Sequence, residues 1–374
     1  MPPPEVTPLQ WRDPLLGEIA LPGGVLRLTL GVGSGLARRG GDPPGRFWGL
    51  GDRGPNLKIA AAVRDYGLTH LAHLATVAGA KVLPAPELGP TLAELQVTGD
   101  RVELVRTLSL VARDGSRVSG LPPPGGRLAD VEPAFNIDGA RLPLDSNGAD
   151  TEGVVASRDG SFWIGEEYGP SLMHVDAGGR VLRRWAPPGT ELAGVDALLP
   201  AQAAERRLNR GFEGLALSAD ERFLYVGFQS ALEQPGAPTR EALIWKLDAQ
   251  SGACLESWAY PFDPPSSFLA DALRGSVEDA DLKVCELAWV APDTLLVLER
   301  ISRSGRIYRV TLAGGVVTKT LLFSTEVTPG IAADLEGMAV MSDRELLLAT
   351  DNDFGVEGAP TYFYRLTFTE PLAG

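Results

Sequence analysis

Four times along the chain a short apolar run opening on an acidic residue is followed, about ten residues later, by a second apolar run ending in carboxylates or their stand-ins. Asp150-Thr-Glu152-Gly153-Val-Val-Ala leads to Phe162-Trp-Ile-Gly-Glu166-Glu167, and Glu213-Gly-Leu-Ala-Leu leads to Phe223-Leu-Tyr-Val-Gly-Phe228-Gln229. Glu286-Leu-Ala-Trp-Val leads to Leu295-Leu-Val-Leu-Glu299-Arg300, and Asp334-Leu-Glu336-Gly-Met-Ala-Val leads to Leu346-Leu-Leu-Ala-Thr-Asp351-Asn-Asp353. A degenerate copy, Ser34-Gly35-Leu-Ala then Phe47-Trp-Gly-Leu-Gly-Asp52-Arg53, precedes them. Turns such as Arg158-Asp159-Gly160-Ser161 join the two runs, so each copy reads as strand, turn, strand. A period of roughly 50 to 75 residues predicts an array of similar modules.

Four-stranded modules repeated about an axis are the blades of a β-propeller. We therefore expect an all-β chain with an irregular arm over residues 1–23 and a single propeller over 24–374. Five blades are favoured, with six possible if residues 57–90 hold a weak one. Gly24 to Leu30 alternates cleanly, and the last copy ends after three strands at Tyr362 to Phe368. The N-terminal strand Gly24 to Leu30 is thus expected to complete the last sheet, closing the ring and hiding its edges.

Centring each turn predicts register. Glu152 is placed opposite Glu167, Glu213 opposite Phe228, Glu286 opposite Glu299, and Glu336 opposite or beside Asp351. Directly paired residues have Cβ atoms about 5 Å apart, a spacing at which like charges need a proton or a cation between them. Because first strands line a propeller's channel, these carboxylates are expected to converge as a ring at one mouth. Glu152, Glu213, Glu286, Glu336, Glu299 and Asp351 are the candidate metal ligands. Hard oxygens in that number suit Ca²⁺, and the scarcity of histidine and cysteine argues against zinc or copper. The competing reading has glutamates capping blade packing by accepting backbone N–H groups.

Arg53 and Arg300 follow carboxylates at the strand ends. They would either grip an anionic substrate group bidentately or neutralise the acidic cluster. Glu166 or Glu167 is the candidate general base, and Asp52, Asn209 and Asp353 are placed at the substrate. Ser34 stands where the other copies carry glutamate, but no histidine lies in register to activate it. His70 and His73 offer two metal ligands without a third, and His174 reads as structural.

The chain has 374 residues and a net charge of −14, with only five lysines among its 34 basic residues. That balance argues against nucleic acid. No apolar run approaches the roughly 20 residues of a membrane span, so no membrane partner is expected. We expect a monomer acting on a small-molecule ester. Cys254 and Cys285 make no disulfide framework and read as two buried thiols. The N-terminus as written lacks a signal peptide; a trimmed leader would reverse the implied compartment, so localisation stays open.

Ser34-Gly-Leu, Gly51-Asp-Arg-Gly-Pro55, Glu152-Gly, Gly165-Glu-Glu-Tyr-Gly-Pro170, Gly211-Phe-Glu-Gly-Leu-Ala216 and Asp334-Leu-Glu-Gly-Met-Ala339 together resemble the phytase-like propeller family, described as having esterase-like activity of phytase. The resemblance runs from about residue 24 to 368. It implies a propeller and a calcium-dependent ester hydrolase, since the alkaline phytases behind the family's name hold phosphates through Ca²⁺ and basic side chains. Scarce lysine and Phe228-Gln229 in place of a carboxylate depart from that pattern and weigh against phytate. A calcium-centred lactonase and a non-enzymatic binding propeller with a structural Ca²⁺ are the alternatives.

Overall fold

The computed structural model describes residues 2–125, 131–233 and 240–374. Five antiparallel sheets follow one another along the chain. The first runs through Gly35–Ala37, Arg46–Gly51, Thr91–Thr98 and Arg101–Ser109. The second comprises Thr151–Ala156, Phe162–Glu166, Ser171–Val175 and Val181–Trp185, with Val195–Asp196 added in parallel. Phe212–Leu217, Phe223–Phe228, Glu241–Asp248 and Cys254–Pro261 form the third. Lys283–Ala291, Thr294–Arg300, Gly305–Ala313 and Val316–Ser324 form the fourth. The fifth contains Leu335–Ser342, Glu345–Thr350 and Phe363–Thr367.

The strand that completes the fifth sheet is Glu5–Leu9, antiparallel to Phe363–Thr367. This corrects two expectations, the irregular arm and the closing role of Gly24 to Leu30. Pro8 sits within that strand, opposite Tyr364. Proline is tolerated there because the strand is an edge, with no further neighbour to receive an N–H. Gly24–Thr29 instead pairs with Leu15–Leu21 as a separate hairpin. Its Leu26 and Leu28 pack with Leu57, Ile59, Leu71 and Phe135 in a small core of their own. That core also takes in the helix Ile59–Tyr66, which ends at Gly67 in the left-handed region (φ 69°).

First strands of consecutive sheets pack side by side, and that of the fifth packs on that of the first. Each junction carries its own apolar layer. Trp48 meets Phe162 edge-on at 4.7 Å between the first and second sheets. Trp163 and Trp185 join Phe212, Phe228 and Trp245 between the second and third. Phe47 meets Phe363 at 5.9 Å between the first and fifth, where Leu9 of the N-terminal strand is buried too. A buried side chain of this size stabilises by about 1.5–3 kcal/mol, so these layers fix the sheets against one another. The approach is close: a Cβ on Gly153 would lie 2.1 Å from the Glu213 carbonyl oxygen, and one on Gly35 2.3 Å from that of Glu152.

Candidate functional site

The strand-turn-strand copies form as expected, but their register does not hold to the end. Thr151 pairs with Glu166 and Phe212 with Phe228, with a shift before Val154 and Leu215. Val284 pairs with Glu299 while Glu286 pairs with Leu298, and Leu335 pairs with Thr350 while Gly337 pairs with Ala349. One extra residue is thus inserted near the start of the first strand of the second, third, fourth and fifth sheets, a β-bulge, which re-aims a side chain and breaks direct pairing. Glu152, Glu213, Cys285 and Glu336 stand at these insertions. In the first sheet Gly35 pairs with Leu50 without a shift, and Gly33 bridges the same residue in parallel. Carboxylates directly opposed across strands, as turn counting predicts, are replaced by side chains turned toward a common cavity.

That cavity, of about 640 Å³, is lined by Asp52, Glu152, Glu167, Glu213, Glu336, Asp351 and Asp353 together with Arg53, Arg300 and Asn209. Ten of the candidate site residues therefore meet in one space. Glu166, Glu286 and Glu299 do not line it. The Glu166 carboxylate faces its own sheet, accepting from Tyr168 N (2.9 Å), Gly169 N, Ser171 Oγ (2.6 Å) and Arg184 Nη2 (3.2 Å). Glu299 accepts from Tyr260 Oη (2.7 Å), Asp263 N (3.0 Å) and Lys319 Nζ (2.6 Å), between the third and fourth sheets.

Glu286 is displaced by a single residue. The bulge in its strand falls at Cys285, and a one-residue slip turns a side chain to the other face. Its carboxylate is fully buried among the first strands, accepting from Leu36 N (3.2 Å), Leu215 N (3.2 Å) and its neighbour Leu287 N (3.0 Å). It caps the packing of three sheets. Cys254, expected to be buried, is exposed; Cys285 is buried.

Carboxylates in and beside the cavity fall into groups whose ligand atoms lie within 4.8 Å of one another: Asp52, Asp351 and Asp353; Asp150, Glu152 and Glu167; and Glu213 and Glu336 with Cys285. Burial, reinforced by Glu213 and then Asp150, pushes Glu152 well above the ordinary carboxylate range. Burial likewise raises Glu213, with Glu167 and Glu336 adding to it. Asp52 is pushed up to about 7, chiefly by burial, although Arg53 opposes the shift. Glu167 Oε2, Glu213 Oε2 and Gln229 Oε1 are buried without a hydrogen-bond partner among the described residues. An unpaired buried acceptor costs about 1–3 kcal/mol. A hard divalent cation would remove both the repulsion and that deficit, so the oxygen-only groups fit Ca²⁺.

Cations border the acids, and the fourth sheet supplies Lys283 and Arg300. Arg300 Nη1 donates to Asp334 at 2.6 Å, its Nη2 to Glu336, and its Nε to Cys285 Sγ at 3.0 Å. Arg53 Nη1 bonds Glu132 (3.0 Å), Tyr168 Oη (2.6 Å) and Asn209 (2.9 Å). The Arg300 nitrogens all meet protein partners, and Arg53 commits both terminal nitrogens while its Nε is buried without a partner among the described residues. Lys283, in contrast, lines the cavity and forms no ion pair among the described residues, and Arg210 Nη1 is buried without a partner. Three lining residues hold left-handed backbone, Asn209 (φ 55°), Asp334 (φ 61°) and Asp353 (φ 45°). Strain of this kind costs about 1–3 kcal/mol each and gathers at functional sites.

Sequence reasoning passed over Asp150, Glu132, Tyr168, Lys283 and Cys285 as site residues. Cys285 had a signal: aligned on Leu-Ala rather than on glutamate, Cys285-Glu-Leu-Ala matches Glu213-Gly-Leu-Ala and Glu336-Gly-Met-Ala. Glu132 had none, since it reaches Arg53 from a long connection.

A structure with these features has relatives. The profile of the phytase-like family, described as esterase-like activity of phytase, matches residues 29–354, and the chain belongs to that family. An uncharacterized secreted protein of Arthroderma benhamiae is 29% identical over 233 residues, 52% of this chain and 42% of that protein, so the match spans less than half of the relative. Among solved structures, the PQQ-bound aldose sugar dehydrogenase of Streptomyces coelicolor is similar at 12% identity and TM-score 0.35, over 97% of this chain and 98% of that one. The periplasmic gluconolactonase PpgL of Pseudomonas aeruginosa is similar at 13% identity and TM-score 0.37, over 98% of each chain. Likeness at this level bears on neither chemistry nor substrate.

Proposed function

We propose that the chain is a five-bladed β-propeller, closed by Glu5–Leu9, that hydrolyses ester bonds of small polar substrates in its acidic cavity with calcium as cofactor. One observation carries the reading: carboxylates from four sheets meet in a single cavity where Glu167 Oε2 and Glu213 Oε2 are buried without a donor. Glu152, Glu213, Glu336 and Asp351, with Asp52 and Asp353, would hold calcium, in the separate groups described above. When bound, calcium supplies Lewis-acid polarisation of an ester oxygen.

The protein's own groups have separable tasks. Glu167, with one oxygen free, would accept the proton of the attacking water as general base. Lys283 and Arg210 would bind the anionic part of the substrate, because their donors are uncommitted. Arg53 and Arg300 position the acidic groups they bridge. Among the described lining residues only Leu208, Ala333 and Ala359 are apolar, which favours a compact polar ester, phosphoric or carboxylic, over a long acyl chain.

The test is a thermal melt with EDTA and after restoring Ca²⁺, followed by turnover of aryl phosphates, aryl acetates and lactones. Binding to the folded form alone adds about 2.7 kcal/mol at a hundredfold excess over Kd. A calcium-specific recovery with calcium-dependent ester cleavage is expected. Turnover confined to lactones transfers the site to that class, and a melt indifferent to Ca²⁺ with no turnover overturns the reading.

A further inference from the structure

We propose that Glu213, Cys285 and Glu336 form a binding site for a thiophilic divalent cation of the zinc and cadmium class, with an open position facing the cavity. Cys285 occupies the bulge where the second, third and fifth sheets present glutamate. Its Sγ and one oxygen of each carboxylate lie within 4.8 Å of one another, a spacing that a shared ion can bridge. Calcium takes oxygen ligands and gains nothing from sulfur, whereas a thiolate beside carboxylates is a donor set for zinc.

Two further observations point to a ligand at this place. Glu213, 2% exposed, leaves Oε2 without a partner. Gln229, 5% exposed and outside the acidic group, faces Glu213 and leaves its own Oε1 without a donor. Arg300 borders the site, with Nε 3.0 Å from Sγ and Nη2 on Glu336. Its positive charge offsets the surplus that three anionic ligands leave on a divalent ion. Coordination forms the metal–sulfur bond and releases the thiol proton to solvent, with no change of oxidation state.

The site goes beyond the calcium-dependent reading, though it shares Glu213 and Glu336 with it, so the two are tested separately. Cys254 is exposed and would bind soft metals, so the background is Cys254→Ser. Cadmium and cobalt(II) are titrated in, reading sulfur-to-metal charge-transfer absorption and, by native mass spectrometry, stoichiometry. One cadmium per chain with a charge-transfer band is expected. Adding Cys285→Ser is expected to abolish the band and weaken cadmium binding by more than about tenfold, while the calcium-induced melting shift remains.

Absence of the band in the Cys254→Ser protein, or equal cadmium affinity after Cys285→Ser, overturns the proposal. Glu213→Gln keeps the thiol and gives a second route should Cys285→Ser fail to fold. It is expected to weaken cadmium, and unchanged affinity sinks the three-ligand site. An intact band with no calcium shift refutes the calcium reading alone.

Discussion

Arg53 holds Asp150 from two directions: its backbone N–H reaches Oδ1 at 3.2 Å and its Nη1 lies 2.9 Å from Oδ2. The same guanidinium serves Glu132, so one cation balances two buried acids. Removing one partner of such a network leaves uncompensated charge, which costs about 3–5 kcal/mol. Arg53→Ala is expected to lower stability by that amount in urea denaturation. Arg53→Lys should recover only part of it, since an ammonium cannot present the guanidinium's fork of donors.

Glu213→Gln should act in opposite directions with and without calcium. In EDTA the substitution removes a buried charge repelled by Glu167 and Glu336, and stability should rise by about 1–3 kcal/mol. In calcium the stabilisation given by the ion should shrink. Paired melts of wild type and variant read both effects, and a uniform shift in the two buffers counts against Glu213 as a ligand.

Glu286 offers the control. Its oxygens satisfy three backbone N–H groups from three sheets, so Glu286→Ala should destabilise by about 3–5 kcal/mol, the range for breaking a buried charged network. The increment of stability from calcium should stay at the wild-type value. A lost calcium response with stability intact would restore Glu286 to the ligand set.

His174 gives the pH dependence. Its ring stacks on Trp163 at 4.6 Å, its Nε2 lies 3.0 Å from Ser161 Oγ, and burial, then Arg183, hold its pKa below the ordinary value. The unfolded state therefore binds the proton more readily. This contribution is fully present above the unfolded pKa of about 6.5, and it declines as pH falls through that value toward the lower folded one. His174→Gln should flatten the fall in urea midpoint between pH 7.5 and pH 5.

Hairpins were legible because their turns are spelled out in Asp159-Gly160 and Asp220-Glu221, and apolar runs flank them. Convergence of acids was legible because one end of each copy carries them. Which acids converge was not, since a bulge adds a residue without any change in polarity pattern, and in the fourth sheet it exchanges Glu286 for Cys285. The closing strand escaped notice for a different reason. Glu5-Val-Thr-Pro-Leu9 contains a proline and lacks alternation, and only its edge position makes it a strand, whereas the better-patterned Gly24–Thr29 found a local partner.

Pairing of Glu5–Leu9 with Phe363–Thr367 sets the order of events during synthesis. Residues 5–9 must wait, without their sheet partner, until residues 363–367 have been made. Four sheets have all their strands from contiguous chain and can form as they are made, but the fifth cannot finish until Phe363–Thr367 has emerged. Throughout that interval its Phe363 partners, including Phe47, stand uncovered, and exposed apolar surface on unpaired strands is what aggregates. The nascent chain is most exposed just before Phe363–Thr367 appears.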